Sequence, residues 1–284
     1  MSFADMKKKR GSSLSRLSEE LNKINSPQIG VDDRFWKADL DKAGNGYAVI
    51  RFLPSIEGED IPWVRVFNHG FQGPGGWYIE NSLTTNGKND PVSEYNSKLW
   101  DTGLEANRDI VRKQKRRLTY YTNIMVIEDS KRPENEGKTF LFKFGKKIFD
   151  KINDQMNPQF EDETSVNPFD FWKGANFKLK IRKVDGFWNY DKSEFEKPTP
   201  LFEKDDDIEE VWKKQYSLAE FTASSNFKSY DELKTRLNLV LAGTTTVGNV
   251  TTLMEDEPVA PPVVDTKDEE GDTMDYFQKL AEDV

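Results

Sequence analysis

The sequence has no cysteine, only one histidine and no long apolar run. The absence of cysteine excludes disulfide bonds, iron–sulfur clusters, a thiol nucleophile and every cysteine-ligated zinc site. A single histidine also excludes most histidine-based metal sites. No stretch approaches the roughly 18 apolar residues of a membrane span, and residues 1–15 are basic without an apolar segment. We therefore expect neither a membrane span nor a secretory signal, and we predict a cytosolic protein.

Acidic residues outnumber basic ones by 50 to 41, and the excess lies at one end of the chain. Residues 255–284 contain eleven acids and two bases, a net charge of −9 that equals the formal charge of the whole chain. The remaining residues hold 39 of each sign, with five bases and no acid in residues 7–16 and five bases in residues 112–117. An acidic tail beside basic clusters is typical of nucleic-acid-binding proteins, although ordinary surface lysines and a solvated end give the same pattern.

Short runs of β-branched and aromatic residues between turn signals predict a β-rich core. These runs are residues 46–55, 62–71, 75–83, 118–129, 138–145 and 176–190. The turn at residues 132–137 predicts a hairpin between the fourth run and the fifth. Many short strands with turn residues between them favour a barrel or a sandwich.

Helical patterns occur in three places. Apolar residues at helical spacing predict helices within residues 14–24 and 146–156, and a Ser229-x-x-Glu232 capping box predicts a third over residues 229–240. The first of these, next to the basic run, would form a detachable arm. Residues 242–252 are small and polar, which indicates a flexible linker into the acidic tail.

Residues 176–190 show the clearest alternation in the sequence. The odd-numbered residues 177, 179 and 181 should face the core. The even-numbered ones would then present three bases on the open face at a repeat of about 7 Å, close to that of a single-stranded phosphate backbone. These bases are Lys178, Lys180 and Arg182.

Motifs for catalysis are scarce. Phosphate-loop, dinucleotide-binding and nucleophile-elbow patterns are absent from the sequence. The best enzymatic candidate is Asp129 with Glu136, Gly137 and Lys138, which are spaced like the carboxylates and lysine of metal-dependent nucleases. Such spacing is common by chance, and these charges bracket a predicted turn. We therefore expect a protein that is not an enzyme.

Bases and aromatic residues are interleaved in three segments, residues 115–121, 138–147 and 186–192. Capture of a single nucleic-acid strand needs cations for phosphates and exposed rings for bases, so this pattern favours binding. The competing interpretation is that the rings belong to the core. Because adjacent strand residues point to opposite faces, about half of the rings must be buried.

Several segments resemble the single-stranded DNA-binding, helix-destabilising protein family of T-even-type bacteriophages. They are NGYAVIRFLPS (45–55), FNHGF (67–71), WYIE (77–80), PENEGK (133–138), FGKKIFDKIN (144–153), GANFKLK (174–180) and GFWNYD (186–191). The resemblance implies a β-rich α+β fold with an oligonucleotide-binding (OB) β-barrel core, a small appended subdomain, flanking helices and a disordered acidic C-terminal tail. It divides the chain into an arm (1–25), a DNA-binding core (26–241) with the subdomain around residues 62–100, and a linker with tail (242–284).

The resemblance also implies roles for individual residues. Together with the base and aromatic patterns, it gives the expected DNA-binding set Arg51, Lys115, Arg116, Arg117, Tyr120, Tyr121, Phe142, Lys178, Lys180, Arg182, Phe187, Trp188 and Tyr190. The arm residues expected to drive cooperative self-association along DNA are Lys8, Lys9, Arg10, Ser12 and Ser13. The tail is expected to recruit phage replication and recombination proteins through Asp275, Phe277 and Leu280.

The chain departs from the family at the zinc site. The family holds zinc with one histidine and three cysteines, and His69 stands at the matching histidine. Ser82 and Ser93 occupy two of the cysteine positions, and the third falls near Asp90 after a shortened loop. Serine is a poor zinc ligand. We therefore expect no zinc or other cofactor, and a subdomain held by packing of residues such as Trp63, Phe67, Phe71 and Trp77.

The predicted function is cooperative, largely sequence-independent binding of single-stranded DNA in phage replication, recombination and repair, in the cytoplasm of the infected bacterium. One alternative is a protein-docking hub, since Met274, Phe277 and Ala281 recur at helical spacing among acids. Another is an RNA-binding translational regulator, because stacking and phosphate contacts do not identify the sugar.

Overall fold

The computed structural model describes residues 32–160, 162–184 and 186–242. The chain divides into two units, residues 1–35 and residues 36–284, and only residues 32–35 of the first are described. Within that unit, Arg34 and Asp32 form an ion pair with 2.7 Å between Nη2 and Oδ2. The predicted arm and its helix, together with residues 243–284 of the predicted linker and tail, lie outside the described residues.

The described residues form nine strands and five α-helices. The strands are β1 (Phe35–Trp36), β2 (Gly46–Phe52), β3 (Trp63–Gly73), β4 (Gly76–Asn81), β5 (Arg117–Glu128), β6 (Thr139–Phe144), β7 (Asn176–Val184), β8 (Phe187–Asn189) and β9 (Glu194–Phe195). The helices are α1 (Pro91–Asp101), α2 (Glu105–Gln114), α3 (Lys146–Met156), α4 (Asp205–Lys213) and α5 (Tyr230–Ala242). The fold is therefore mixed and β-rich, as the sequence predicts.

Strand β5 organises the sheet, because it pairs antiparallel with β2, β3 and β6. Its pairing with β6 confirms the predicted hairpin. The strand path runs β6-β5-β2-β7-β8. Strand β3 branches from β5, β4 pairs with β3, and β9 lies beside β7. This path has two ends, so the described sheet is open and does not form a closed barrel.

The main core lies on one face of this sheet. Strand β2 is buried from Ala48 to Phe52, which its apolar sequence AVIRF explains except at the arginine. Phe52 lies within 6.5 Å, between ring centroids, of five other phenylalanine rings, and such aromatic pairs add to the stabilisation from burial. Helix α3 covers this core with Ile148 and Ile152, so the predicted helical face is confirmed.

Trp63 belongs to this main core, which corrects its predicted place in the subdomain. Its ring centroid lies 5.5 Å from that of Phe149 and 5.2 Å from that of Phe169. The reason is its position in β3. Trp63 begins the strand opposite Thr122 of β5, whereas the residues that reach the subdomain come from the other end of β3.

The subdomain has its own core, formed by the end of β3, β4, α1 and α5. Its buried residues are Phe71, Tyr78, Leu83, Val92, Leu233, Leu237 and Val240. Phe71 stacks on Tyr78 at 5.1 Å, so the predicted role of Phe71 in subdomain packing is confirmed. Helix α5 begins with the predicted capping box, in which the Ser229 amide and hydroxyl both donate to Glu232 Oε2.

A glycine-rich turn fixes the end of α5 against β3 and β4. The Gly75 amide donates to Val240 O at 2.8 Å, which satisfies a carbonyl of the last helical turn. A Cβ on Gly75 would lie 2.0 Å from Leu239 O. Only glycine allows so close an approach between the turn and the helix.

Helix α4 packs on the opposite face of β5. Ile208 and Val211 meet Leu53, Met125 and Phe171 in a third buried cluster. Among residues 32–242, apart from the two undescribed positions, no helix is both long and apolar enough to cross a membrane.

Candidate nucleic-acid interface

Three side chains on one face of β5 and its neighbours form what we call the β5 face: Arg117, Tyr121 and Lys143. Tyr121 pairs directly with Lys143 of β6, and the two therefore share a face of the sheet. Arg117 lies on the same face, four residues before Tyr121, at a distance of about 14 Å for an extended strand. The Lys143 ammonium lies 5.9 Å from the centroid of the Tyr121 ring.

Tyr121 is half-buried because Phe221 stacks on it. The two ring centroids are 4.4 Å apart and the ring planes differ by 8°. Burial raises the pKa of the Tyr121 hydroxyl. This flat, partly exposed pair has the chemistry of a base-stacking platform, because every nucleobase offers a π-face.

The segment that carries Phe221 is held next to β5 by two polar side chains, Asn123 and Glu59. Asn123 exchanges two hydrogen bonds with the Tyr216 backbone, at 2.8 and 2.9 Å. Glu59 Oε1 accepts from the amides of Leu218 and Ala219. Phe221 had no signal in the sequence, because no local pattern places residues 216–222 next to β5.

The predicted basic triplet lies at the start of β5. Lys115 directly follows α2, and the Arg116 guanidinium lies 4.2 Å from the Phe67 ring centroid in a cation–π contact. Arg117 extends beside Gly70, where a Cβ would lie 3.7 Å from Nη1. Lys143 is exposed, although desolvation of its ammonium group lowers the pKa. Of these four bases, Lys143 lies next to the stacked aromatic pair, and the other three lie at or just before the start of β5.

Three of the predicted DNA-binding residues, Tyr120, Phe142 and Arg51, are buried, which corrects their expected placement on the surface. Tyr120 stacks on Phe149 at 4.1 Å in the main core, and Phe142 is 6% exposed. Both point to the face of the sheet opposite Tyr121, as strand alternation requires. In the adjacent pair Tyr120 and Tyr121, only the second ring faces outward.

Arg51 is fully buried in β2. Its guanidinium donates to Asn176 Oδ1 at 3.3 Å, to Asp170 O at 3.3 Å and to Thr199 O at 2.5 Å. Desolvation lowers its pKa to about 10, against the opposing effect of Asp170. Arg51 therefore lies in the core. It joins β2 to Asp170, in the segment before β7, and to Thr199, in the segment after β7.

The three bases of β7 face outward as predicted, but each has an acidic partner. Lys178 pairs with Glu196 at 2.9 Å, Lys180 with Glu194 at 2.7 Å, and Arg182 with Asp191 at 2.5 Å. These hydrogen bonds raise the pKa of Lys178 and Arg182 and lower that of their partners. Alternation placed the bases correctly, but the acids come from the return segment through β9, which the pattern of β7 alone does not reveal.

The aromatic residues of β8 differ in exposure. Phe187 is 37% exposed, whereas Trp188 and Tyr190 are half-buried. Tyr190 packs against the main core, and burial raises its pKa. Strand β2 lies between β5 and β7 in the sheet, so the predicted set divides into a β5 group and a β7–β8 group.

The candidate nuclease carboxylates stabilise a turn. Asp129 Oδ2 accepts from Trp36 Nε1 at 2.9 Å, and its Oδ1 accepts from the Arg132 amide at 3.1 Å. Glu136 Oε1 accepts from the Asp129 amide at 3.0 Å. Both carboxylates therefore have structural partners in the loop between β5 and β6.

A buried polar group, here called the Asp90 cluster, lies in the subdomain and contains His69, Ser82, Asp90 and Gln114. His69 Nδ1 contacts Gln114 O at 2.9 Å, and its Nε2 lies 3.2 Å from Asp90 Oδ1. Ser82 Oγ donates to Asp90 Oδ2 at 2.9 Å. Burial alone would raise the pKa of Asp90, but hydrogen bonds and charge from His69, with donors from Ser93 and Ser82, lower it to about 2.

Comparison with known proteins identifies the family of the chain. The family described as "gp32 DNA binding protein like" matches residues 44–241. The chain belongs to this family. It is 41% identical over 246 residues to the single-stranded DNA-binding protein of Enterobacteria phage T2, which covers 83% of this chain and 80% of that relative. The corresponding protein of Enterobacteria phage T4 is 41% identical over 245 residues, with the same coverage.

A third relative, the single-stranded DNA-binding protein of Escherichia phage SV14, is 45% identical over 91 residues, which is 30% of this chain and 80% of that relative. Membership of the gp32-like family confirms the resemblance inferred from the sequence. The matched range includes the β5 face, the Asp90 cluster and the paired bases of β7.

Proposed function

We propose that this protein binds single-stranded DNA in phage replication, recombination and repair, with little sequence preference. The observation that carries the proposal is the β5 face, where a stacked aromatic pair lies beside Lys143 and Arg117 lies further along the same face. Membership of the gp32-like family and similarity to the single-stranded DNA-binding proteins of phages T2 and T4 support the same ligand. We propose that the protein acts by binding and not by catalysis.

The single-stranded DNA follows the outer face of β5. Its phosphates lie near the basic residues, and one nucleobase lies against Tyr121 and Phe221. Arg51, Tyr120 and Phe142 are left out of this interface because they are buried. The bases of β7 are secondary, since phosphates would have to compete with their acidic partners. Phe187 and Trp188 extend the aromatic surface beside them.

The open sheet is proposed to be an OB-type core, a fold described as a partly open barrel. The branching of β5 to three partners supports this, as does the shift in the β2–β5 register between Val49 and Ile50, since bulges bend strands. Residues 26–241 form the DNA-binding part, with the subdomain around residues 62–100.

The two ends of the chain are proposed to act in assembly. The basic arm, residues 1–25, drives self-association along DNA, and the tail, residues 242–284, recruits replication and recombination proteins. The separation of charge in the sequence supports both roles. The site of action is the cytoplasm of the infected bacterium.

The salt dependence of binding tests the proposed interface. Four phosphate contacts, by Lys115, Arg116, Arg117 and Lys143, give a slope of log affinity against log salt of about −3. The measurement is fluorescence anisotropy of a labelled oligo(dT) one site long. Arg117→Gln should make the slope less steep by about 0.7, and Lys178→Gln, the ion-paired control, should leave it unchanged.

Two results would contradict the proposal. An affinity independent of salt would exclude a phosphate-binding face, and equal effects of the two substitutions would place DNA on β7 as well. Competition with oligo(U) of the same length distinguishes the RNA-binding alternative, which requires the RNA to compete better than the DNA.

A further inference from the structure

The Asp90 cluster occupies the positions at which the family resemblance places zinc ligands. Asp90 is 2% exposed, and its two oxygens face five hydrogen-bond or ionic partners. Oδ2 accepts from Ser82 Oγ and the Leu83 amide, at 2.9 and 3.1 Å. Oδ1 accepts from the amides of Val92 and Ser93, at 3.0 and 3.1 Å, and lies 3.2 Å from His69 Nε2.

Zinc does not fit this set of donors. A structural zinc site takes four ligands, mostly thiolate or imidazole, and this chain has no thiolate. The Ser82 hydroxyl is engaged with Asp90, and Ser93 reaches the cluster through its amide. Within the part of the chain that the structure describes, no group of three or more His, Cys, Asp or Glu residues could hold a metal ion.

The orientation of His69 identifies what stands in place of the metal. Because the Gln114 carbonyl can only accept, Nδ1 must donate to it. Metal-binding histidines commonly make this same contact, which aims the other nitrogen at the metal. Here Nε2 lies 3.2 Å from Asp90 Oδ1, which is an ion-pair distance when Nε2 also carries a proton.

We infer that the Asp90 carboxylate joins the elements of the subdomain as a structural metal ion would, by hydrogen bonds from one hydroxyl and three amides and by its contact with His69, instead of coordination. It connects β3 through His69, the turn after β4 through Ser82 and Leu83, and the first turn of α1 through Val92 and Ser93. His69 extends the connection to the end of α2 through Gln114. The subdomain of this chain is therefore independent of metal.

The first experiment measures thermal unfolding of the full chain with and without a strong zinc chelator, and after addition of zinc. The melting temperature should stay the same within about 1 °C, since binding that is specific to the folded state would shift it. A fall with chelator, or one equivalent of zinc in protein purified without added metal, would overturn the inference.

The second experiment uses Asp90→Asn, which keeps the shape of the side chain and removes its charge. Amide hydrogen exchange in residues 82–93 should accelerate by about ten- to a hundredfold, because buried donors lose a charged acceptor. Asp101→Asn, an exposed acid on the same helix, is the matched control and should not accelerate exchange. Unchanged exchange in Asp90→Asn would show that the carboxylate does not join these elements.

Ser82→Ala is the second variant for the hydrogen-exchange measurement, to be used if Asp90→Asn does not fold. It removes one donor to Asp90 Oδ2 and should accelerate exchange at the same amides by about tenfold. If it instead accelerates exchange uniformly over the chain, the cluster has no local joining role. Both measurements concern the subdomain itself and are independent of whether the β5 face binds DNA.

Discussion

Substitution of Arg51 separates a core role from a DNA-binding role. Arg51 has the sequence position of a DNA-contacting residue, yet no part of it is exposed. Arg51→Met removes the charge and its hydrogen bonds while keeping a side chain of comparable length. We expect a loss of stability with little loss of affinity for DNA in the folded protein.

The magnitude follows from two opposing effects. Burial of the charge lowers the pKa of Arg51 from its usual value to about 10. This shift corresponds to about 3 kcal/mol, which methionine would recover. Against this, three acceptors within 3.3 Å lose a charged donor, at about 2 kcal/mol each. The net destabilisation is therefore about 3 kcal/mol, or about 10 °C in Tm for a chain of this size.

The assay combines urea unfolding, followed by tryptophan fluorescence, with oligo(dT) binding at a temperature at which both variants are folded. Arg117→Met is the matched control, for which we expect the opposite result: unchanged stability and weaker DNA binding. Arg117 is half-buried beside Gly70, so its substitution should leave the free energy of unfolding nearly unchanged. It should lower affinity about fivefold at 0.1 M salt, as expected for one lost phosphate contact.

An exchange of effects between the two variants would refute the core role of Arg51. A tenfold loss of affinity in Arg51→Met with an unchanged urea midpoint would mean that Arg51 reaches DNA and that β2 opens to expose it. Unchanged stability and unchanged affinity in Arg51→Met would instead show that its hydrogen bonds contribute nothing net.

Three further predictions concern the subdomain and the chain ends. Gly75→Ala should destabilise the protein by at least about 2 kcal/mol in urea unfolding, since the new Cβ would lie 2.0 Å from Leu239 O. The control Gly145→Ala, which has open space around it, should change the free energy of unfolding little. Deleting residues 1–25 should abolish clustered binding on long DNA strands in electron micrographs and leave affinity for a one-site oligonucleotide nearly intact. Equal losses on both substrates would refute the separate roles of the arm and the DNA-binding core. Deleting residues 255–284 should retain or strengthen DNA binding, because a charge of −9 is removed, and should abolish partner capture; weakened DNA binding would contradict this.

Local pattern was sufficient where one element carries its own signal. The alternation of β7, the apolar face of α3 and the capping box of α5 were all predicted, because periodicity and capping depend on residues a few positions apart. Helices α1, α2 and α4 were not predicted. Helix α2 buries only Val111 and Gln114, so it offers few apolar residues from which a helical pattern could be recognised. For α1, the pair Asp90 and Pro91 was a usable start signal.

The candidate site was predicted in part for the same reason. The basic triplet and the adjacent tyrosines were found from the sequence, but their orientation was not. Which tyrosine is buried depends on α3, whose Phe149 covers Tyr120, and on Phe221, which lies one hundred residues after Tyr121. Contacts at such separation leave no trace in a local window.

The sequence by itself determined the family, the β-rich class, the distribution of charge and the absence of thiolate ligands, because these depend on composition and on short-range order. Only the tertiary structure decided which bases of β7 have acidic partners, which rings face outward and which groups surround His69. Lys178 has its acidic partner at Glu196, Arg51 its acceptors as far away as Thr199, and His69 its carboxylate at Asp90. Each of these is fixed by chain segments that meet only when the sheet and the subdomain have formed.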